Sequence, residues 1–196
     1  MVHANLSSAK TILRAEMRAL RKTLAERSPD AAERAAEHLP MERLPAFAVV
    51  AGYYPHGAEM DPAAVLDRLA ATGAAVALPV ALSRDEPLIF RAADSRDTFL
   101  PDAFGVPSPP PAAPQLHPDV IIAPLVAFDR RGMRLGQGAG SYDRTIEAAR
   151  AIKPVFVIGL AYAGQEVARV PCEPHDMHLD AILTENGYIE VRKDPS

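Results

Sequence analysis

Three short apolar runs constrain the fold of this chain most strongly: residues 46–54, 119–124 and 155–162. They are rich in Val, Ile and Ala and carry few polar residues, which is typical of strands buried on both faces of a sheet. The chain has no Trp and only 6% aromatic residues, so these aliphatic runs must supply most of the core. Residues 74–80, 88–91 and 181–183 are further strand candidates.

Helical patterns separate these runs. Ser7 and Ser8 are candidate caps of a first helix, whose apolar stripe is Leu13, Met17, Leu20 and Leu24. Further helices are predicted over residues 30–38, from Asp61-Pro62 to near Gly73, and over residues 141–151. Strands that alternate with helices predict an α/β fold: a single domain over residues 1–196, with a mixed, mainly parallel sheet flanked by helices on both faces.

Residues 101–118 contain seven prolines and no periodic pattern, and we interpret them as a long surface connection within the domain. Residues 192–196 are expected to be frayed.

The charge balance argues against nucleic acid as a partner, because 25 acidic residues outnumber 21 basic ones and give a net charge of −4. A single cysteine excludes an intrachain disulfide. No run approaches the roughly 20 apolar residues of a membrane span, and the start lacks the pattern of a signal peptide. We therefore expect a cytoplasmic protein with no membrane or nucleic-acid partner, either a monomer or a small homo-oligomer.

Residues 128–144 form the densest candidate site. Gly136, Gly138 and Gly140 alternate between a predicted buried strand and a helix, and four arginines lie in the same stretch. Backbone N–H groups of such a loop, together with the helix N-terminus, can converge on an anion. The spacing is neither that of a dinucleotide-binding turn nor that of a Walker loop. It predicts a phosphate site of another kind.

Two acids could serve that site. Asp143 lies in the first turn of the predicted helix, where a carboxylate either complements the helix end or binds Mg²⁺ beside phosphates. Prolines on both sides of Glu173 make residues 171–180 a rigid segment that could hold Asp176 facing Asp143. Cys172, His175 and His178 lack the paired-cysteine spacing and the fourth ligand of a zinc site, so zinc is not favoured.

Three blocks of this sequence, residues 10–14 (KTILR), 128–144 (FDRRGMRLGQGAGSYDR) and 171–180 (PCEPHDMHLD), together resemble the 5-formyltetrahydrofolate cyclo-ligase family. The resemblance implies the ATP- and Mg²⁺-dependent cyclisation of 5-formyltetrahydrofolate to 5,10-methenyltetrahydrofolate, with release of ADP and phosphate. In that chemistry the formyl oxygen attacks the γ-phosphate. The protein then contributes mainly positioning and charge neutralisation.

The resemblance also implies roles for individual residues. Arg134 and Asp143 are the implied catalytic residues, Asp143 and Asp176 the implied magnesium ligands, and Tyr54, Glu59 and Ser141 the implied folate contacts. The implied nucleotide-binding residues are Lys10, Arg14, Arg134, Leu135, Gly136, Gln137, Gly138, Ala139, Gly140, Ser141 and Tyr142. Ser141 departs from the family, which usually has a second tyrosine there, so Tyr53 or Tyr54 would have to replace that aromatic surface.

Two other functions fit a phosphate-binding loop on an α/β scaffold. One is an enzyme of the sugar-phosphate isomerase or CoA-transferase type, which would not turn over ATP. The other is a non-enzymatic nucleotide sensor. Magnesium-dependent binding of ATP separates the first alternative from the cyclo-ligase, and turnover separates the second.

Overall fold

The computed structural model describes residues 2–94 and 98–191, with side chains from residue 6 onward. Four α-helices are present in this part of the chain: α1 (Val2–Arg27), α2 (Ala31–Glu37), α3 (Ala63–Ala70) and α4 (Ser141–Ile152). Short 3₁₀ turns cover Met41–Arg43 and Ala163–Gln165. No helix within these described ranges is both long and apolar enough to cross a membrane.

The strands alternate with the helices as the sequence predicts. They are β1 (Val49–Ala51), β2 (Ala75–Val80), β3 (Ile89–Ala92), β4 (Leu100–Pro101), β5 (Pro107–Ser108), β6 (Gln115–Leu116), β7 (Val120–Pro124), β8 (Ala127–Phe128), β9 (Arg134–Leu135), β10 (Phe156–Leu160), β11 (Ala181–Thr184) and β12 (Gly187–Glu190). Eight of them form one sheet in the order β12-β11-β10-β7-β1-β2-β3-β6, while β4-β5 and β8-β9 are separate two-stranded pairs.

The centre of the large sheet is parallel and its edges are antiparallel. Strands β11, β10, β7, β1 and β2 pair in parallel, with Val50 opposite both Val76 and Val120. Strands β12, β3 and β6 add antiparallel edges. The predicted mixed, mainly parallel sheet is confirmed. The parallel strands need buried faces on both sides, which is why their sequences are continuous apolar runs.

Two cores lie on opposite faces of this sheet, which confirms the prediction of helices on both sides. Helices α2 and α3 pack on one face, where Leu69 contacts the cluster of Val50, Ile122 and Ile158. On the other face Ile146 of α4 packs with a second set, which includes Ile121, Val157 and Ile182. Alternate residues of one strand therefore serve different cores, as the two-residue period of a strand requires.

The sequence-based helix starts were partly wrong. Helix α1 begins at Val2, so Ser7 and Ser8 lie inside it, and Ser7 offers its carbonyl to the Thr11 hydroxyl. Helix α3 begins at Ala63, after Pro62, and the Asp61 carboxylate accepts the Ala63 N–H. At α3 the polar residue Asp61 stands next to the true start, whereas at α1 the candidate caps lie more than one turn inside the helix.

Two other segments differ from prediction. The strand predicted over residues 181–183 is followed by a further one, β12, which pairs with it across a turn at residues 185–186. The proline-rich segment stays within the domain, as expected, but it contains β5 and β6, and β6 extends the main sheet. The predicted fraying of residues 192–196 lies outside the described residues.

A buried carboxylate fixes the β8–β9 hairpin, which leads into the glycine-rich loop. Asp129 is fully buried. Its Oδ1 accepts the N–H groups of Arg131 and Met133, and its Oδ2 accepts the Val170 N–H at 2.9 Å and the Arg131 guanidinium at 2.7 Å. Burial acts to raise the pKa of Asp129, but these hydrogen bonds outweigh it, so the pKa lies below its ordinary value.

We expect Asp129→Asn to lower the free energy of unfolding by about 3 kcal/mol, because an amide cannot accept all four of these donors. A carboxylate with a depressed pKa stabilises the fold above its unfolded pKa of about 3.9 and loses that contribution as the pH falls through the folded value. The difference between the two proteins in urea unfolding should therefore be full at pH 7 and shrink below about pH 4. Asp67→Asn, at an exposed position of α3, is the matched control. Equal stability of Asp129→Asn and wild type at pH 7 would contradict the prediction.

Candidate active site

The candidate site lies at the carboxyl ends of the central parallel strands. The chain runs from β1 outward to β2 in one direction, and from β7 outward to β10 and β11 in the other. The loops after β1 and β7 therefore diverge and leave a crevice between them, which is where open α/β sheets bind ligands. Tyr53 and Tyr54 follow β1, and Pro124 ends β7.

One opening at this edge is a mainly apolar cavity of about 260 Å³. Its walls come from the loop after β1, the end of β2, the proline-rich segment and the glycine-rich loop. Residues that line it include Tyr53, Tyr54, His56, Glu59, Pro79, Leu88, Phe104, Val106, Gln137, Ala139, Ser141 and Tyr142. All three residues implied as folate contacts, Tyr54, Glu59 and Ser141, are thus brought to one cavity.

Polar groups in this cavity are few and specifically held. Glu59 is nearly buried, with a side chain that is 6% exposed. One of its carboxylate oxygens lies 2.8 Å from Gln137 Nε2 and 3.4 Å from an Arg21 nitrogen, and the other accepts the His56 N–H. The buried Tyr53 hydroxyl donates to the carbonyl of Met60. Glu59 is therefore a fixed negative charge in an apolar setting.

Tyr142 lines the same cavity but differs from Tyr53 in its hydrogen bonding. Its hydroxyl oxygen is buried and has no hydrogen-bond partner among the described residues. Burial and the nearby Glu59 carboxylate raise the pKa of Tyr142, so the phenol stays protonated. A buried hydroxyl without a partner is costly. A polar ligand group in the cavity would remove that cost.

A second cleft, also of about 260 Å³, lies on the other side of the glycine-rich loop and is predominantly polar. Its charged residues are three cations, Lys10, Arg14 and Arg134, and three carboxylates, Asp143, Glu173 and Asp176. Ser7, Leu135, Gly136, Gly138, Gly140 and His175 complete its lining. The resemblance to the family implied that Lys10 and Arg14 lie together with the loop, and the structure brings them there.

Lys10 connects α1 to the 171–180 segment. Its Nζ lies 2.8 Å from Glu173 Oε2 and 2.6 Å from Asp176 Oδ2, and the residue is buried. Burial acts to lower the pKa of Lys10, but the hydrogen bonds to the two carboxylates outweigh it, so the pKa is raised. The ammonium therefore stays charged at the wall of the cleft.

Arg134 and Asp143 form the partition between the two openings, and both residues line both of them. Arg134 Nη2 lies 2.8 Å from Asp143 Oδ1, and Nη1 donates to the carbonyl of Met177. The same Asp143 oxygen accepts the Met177 N–H at 2.9 Å. Burial lowers the pKa of Arg134, although Asp143 opposes that change. A buried guanidinium at the junction can contact ligands in both openings.

The loop between Arg134 and α4 has two different sides. Gly138 lines the polar cleft but not the apolar cavity, whereas Gln137, Ala139 and Ser141 line the cavity but not the cleft. Gly138 and Gly140 have φ of +112° and +69°, a backbone conformation that favours glycine. Gly136 and Gly140 line both openings, so the glycine backbone of the loop borders the cleft as well as the cavity.

The carboxylates of the cleft suit a hard divalent cation. Among the described residues, Glu173, His175 and Asp176 offer ligand atoms that lie within 4.8 Å of one another. Asp143 is not in that group, although it lines the same cleft, and its Oδ2 has no hydrogen bond to any described residue. Mg²⁺ is held by one or two carboxylates together with phosphate oxygens, so this donor set fits magnesium. Of the three residues considered as zinc ligands, His175 is in this group and Cys172 and His178 are not.

Several residues of the site were not identified from the sequence. Glu173 and Asp176 both form ion pairs with Lys10, and the Arg18 guanidinium donates a hydrogen bond to Gln137. The spacing of Lys10, Arg14, Arg18 and Arg21 along α1 was the signal available for Arg18.

In contrast, Arg130 and Arg131 pair with Glu166 and Asp129 and line neither opening. Two of the four arginines in the loop stretch therefore stabilise the hairpin.

The proline-rich segment also contributes to the site. Asp102 accepts the N–H groups of Phe104 and Val106 through one oxygen and the N–H of Ala81, just after β2, through the other. Phe104 then forms part of the cavity wall, with the Arg84 guanidinium 5.7 Å from its ring centre. A contact between segments so far apart in sequence is not visible in composition.

These features define an α/β protein with a glycine-rich loop at the topological switch point of its sheet and two adjoining openings. The sequence model of the 5-formyltetrahydrofolate cyclo-ligase family matches residues 6–185, so the chain belongs to that family.

Individual relatives agree with this assignment. The 5-formyltetrahydrofolate cyclo-ligase of Mycolicibacterium smegmatis is 38% identical over 151 residues, which cover 73% of this chain and 77% of the relative. A solution structure of 5,10-methenyltetrahydrofolate synthetase from Aquifex aeolicus has a TM-score of 0.77 at 26% identity and covers 95% of both chains. A 5,10-methenyltetrahydrofolate synthetase from Mycoplasma pneumoniae has a TM-score of 0.70 at 22% identity, over 90% of this chain and 98% of that one, and supports the fold.

Proposed function

We propose that the protein catalyses the ATP-dependent cyclisation of 5-formyltetrahydrofolate to 5,10-methenyltetrahydrofolate. Membership of the family supports this function. The structural observation that carries it is the shared wall: Arg134, Gly136, Gly140 and Asp143 line both the apolar cavity and the polar cleft. A phosphoryl group in one opening and an acceptor oxygen in the other would meet at that wall.

The apolar cavity suits the pterin of the folate. A pterin is a flat ring with several N–H donors along one edge, and Glu59 is a buried acceptor whose position is fixed by its three donors. The unpartnered Tyr142 hydroxyl supplies a further polar contact. Tyr53, Tyr54 and Phe104 offer aromatic surface. In this assignment the aromatic surface that Ser141 lacks comes from the loop after β1.

The polar cleft suits the phosphates of ATP. Lys10, Arg14 and Arg134 are its cations, and Gly136, Gly138 and Gly140 allow the backbone to approach closely. The N-terminus of α4 directly follows this loop and favours an anion. We assign Lys10, Arg14 and residues 134–142 to the nucleotide. The loop would contact the nucleotide mainly through its backbone, because Gln137, Ala139, Ser141 and Tyr142 line the other opening.

The charge balance of the cleft argues for Mg²⁺ as the companion of ATP. Three carboxylates face three cations, so the cleft itself has no surplus positive charge for a free polyphosphate. We assign Asp143 and Asp176 as its carboxylate ligands, with Glu173 close enough to contribute. Bound Mg²⁺ would neutralise charge on the phosphate oxygens.

The reaction then needs little covalent help from the protein. The formyl oxygen attacks the γ-phosphorus, the bond to ADP breaks, and a phosphorylated formyl group results. N10 of the folate attacks the formyl carbon and loses its proton, and the C–O bond breaks to release inorganic phosphate. Arg134 is placed to neutralise charge on the transferring group and on the leaving phosphate, which is the main contribution expected of a phosphoryl-transfer site.

An absorbance assay tests this function. The purified protein, incubated with ATP, Mg²⁺ and 5-formyltetrahydrofolate, should form methenyl product and release one phosphate for each product molecule. Omission of ATP or chelation of magnesium should abolish the signal. Binding of ATP without product formation would favour a nucleotide sensor, and the absence of magnesium-dependent ATP binding would favour a phosphate-binding enzyme of another type.

A further inference from the structure

One face of α1 contacts both the glycine-rich loop and the loop that carries Glu59. Arg14 Nε donates to the carbonyl of Gly136 at 2.9 Å. Arg18, one turn further along, donates to the carbonyl of Gln137 at 2.8 Å and to its side-chain oxygen at 2.9 Å. Arg21 lies 3.4 Å from Glu59 Oε1. Spacings of four and three residues place these arginines on one side of the helix.

Gln137 joins these contacts into one network. Its side-chain oxygen accepts from Arg18, and its side-chain nitrogen donates to Glu59 Oε1 at 2.8 Å. The side chain lines the apolar cavity and not the polar cleft, whereas the glycines on either side, Gly136 and Gly138, line the cleft. One residue therefore ties the cavity's buried acid to the backbone that forms the cleft.

The backbone around Gln137 has little intrinsic preference for one conformation, because a glycine stands on each side. Its observed position depends on the hydrogen bonds made by Arg14, Arg18 and Gln137. A ligand that bonds to Glu59 further restrains the acceptor of the Gln137 amide, and through Gln137 the cleft backbone. The second ligand then meets a loop that is already ordered and pays less conformational entropy.

We propose that Gln137 is a positioning residue that couples the two substrates, so that each of them strengthens the binding of the other. This inference rests on the proposed function, since it takes the cavity as the folate site and the cleft as the ATP site. Coupling free energy is reciprocal: 5-formyltetrahydrofolate tightens binding of the nucleotide by the same factor by which the nucleotide tightens binding of the folate.

Calorimetric titration of a non-hydrolysable ATP analogue with Mg²⁺, in the absence and presence of saturating 5-formyltetrahydrofolate, measures the coupling. In wild type we expect the folate to lower the Kd of the analogue by about 10-fold, and the reverse titration to give the same factor. Gln137→Leu keeps a side chain of similar size but removes its hydrogen bonds to Arg18 and Glu59. In this variant the coupling factor should fall to about one. Each substrate is also titrated alone in this variant, so that its coupling factor is taken from its own affinities.

Gln115→Leu is the matched control, because Gln115 is exposed on β6 and lines neither opening. It should keep the wild-type coupling factor. Arg18→Met removes the hydrogen bonds from Arg18 to Gln137 but keeps the one from Gln137 to Glu59. It should therefore give an intermediate coupling factor. Thermal unfolding of all variants checks that they are folded, and a coupling role predicts no correlation between melting temperature and coupling.

The possible failures are distinct. If wild type binds neither substrate, the proposed function is wrong and this inference is wrong with it. If wild type binds both substrates without coupling, or if Gln137→Leu keeps the wild-type factor, only the inference is overturned. A loss of coupling that Gln115→Leu shares would also overturn it.

Discussion

Replacing Arg134 by methionine is expected to lower kcat by about 10²- to 10³-fold, the loss typical of a preorganised group that stabilises charge in the transition state. Arg134 is buried, lies between the two openings and is held by Asp143 and the carbonyl of Met177. Its charge is therefore desolvated and fixed before the substrates bind. Steady-state rates of methenyl product formation, at saturating ATP and folate, measure the effect.

Three comparisons make this test specific. Arg134→Lys keeps the positive charge but not the planar fork that reaches both Asp143 and Met177, so its kcat should fall between those of wild type and Arg134→Met. Arg130→Met removes an exposed arginine of the same hairpin, which pairs with Glu166, and should keep wild-type kcat. Near-ultraviolet circular dichroism would identify a variant that has lost its packing. A folded Arg134→Met with kcat within threefold of wild type would exclude a role for this residue in the chemical step.

Replacing Lys10 by methionine should raise the Kd of Mg·ATP by about 10- to 100-fold, with a smaller effect on the folate. The substitution removes one of three cations from the cleft and leaves Glu173 and Asp176 facing the phosphates without their ammonium partner. Both changes act in the same direction, because they make the cleft more negative. Titration with the non-hydrolysable analogue measures the change directly.

Lys22→Met is the matched control for Lys10, since Lys22 is an exposed residue of the same helix and lines neither opening. Its affinity for the nucleotide should equal that of wild type. The effect of Lys10→Met on the Kd should also be less sensitive to salt than the effect of removing an exposed charge, because Lys10 is buried. An unchanged Kd in Lys10→Met would show that Lys10 does not contribute to the nucleotide site.

The centre of the fold could be predicted because its sequence signal is local. The run at residues 119–124 is almost entirely apolar, and it forms β7, which has parallel neighbours on both sides and both faces covered. Strand β12 gave a weaker signal, because an edge strand is only partly buried and its residues 187–190 include a glycine, a tyrosine and a glutamate. The pattern therefore identified the core strands and missed both edges of the sheet, β12 and β6.

The candidate site was predictable where it is encoded in contiguous blocks. The three blocks brought Lys10, Arg134, Asp143 and Asp176 to one cleft, as the resemblance implied. Contacts between distant segments, such as the bonds of Arg18 to Gln137 and of Asp102 to Ala81, have no contiguous signal. They depend on how α1 and the proline-rich segment pack, and composition does not encode that packing.

The two-sided loop has a consequence for how such a protein can change over evolution or in the laboratory. Ala139 and Ser141 line the apolar cavity and not the polar cleft, while Gly138 lines the cleft and Gly140 lines both openings. In the proposed assignment of the two openings, exchanges at positions 139 and 141 would reshape the folate pocket and leave the backbone of the phosphate site unchanged. A small combinatorial library at Ala139 and Ser141 is therefore a rational starting point for changing which folate is accepted as substrate while ATP remains the phosphoryl donor.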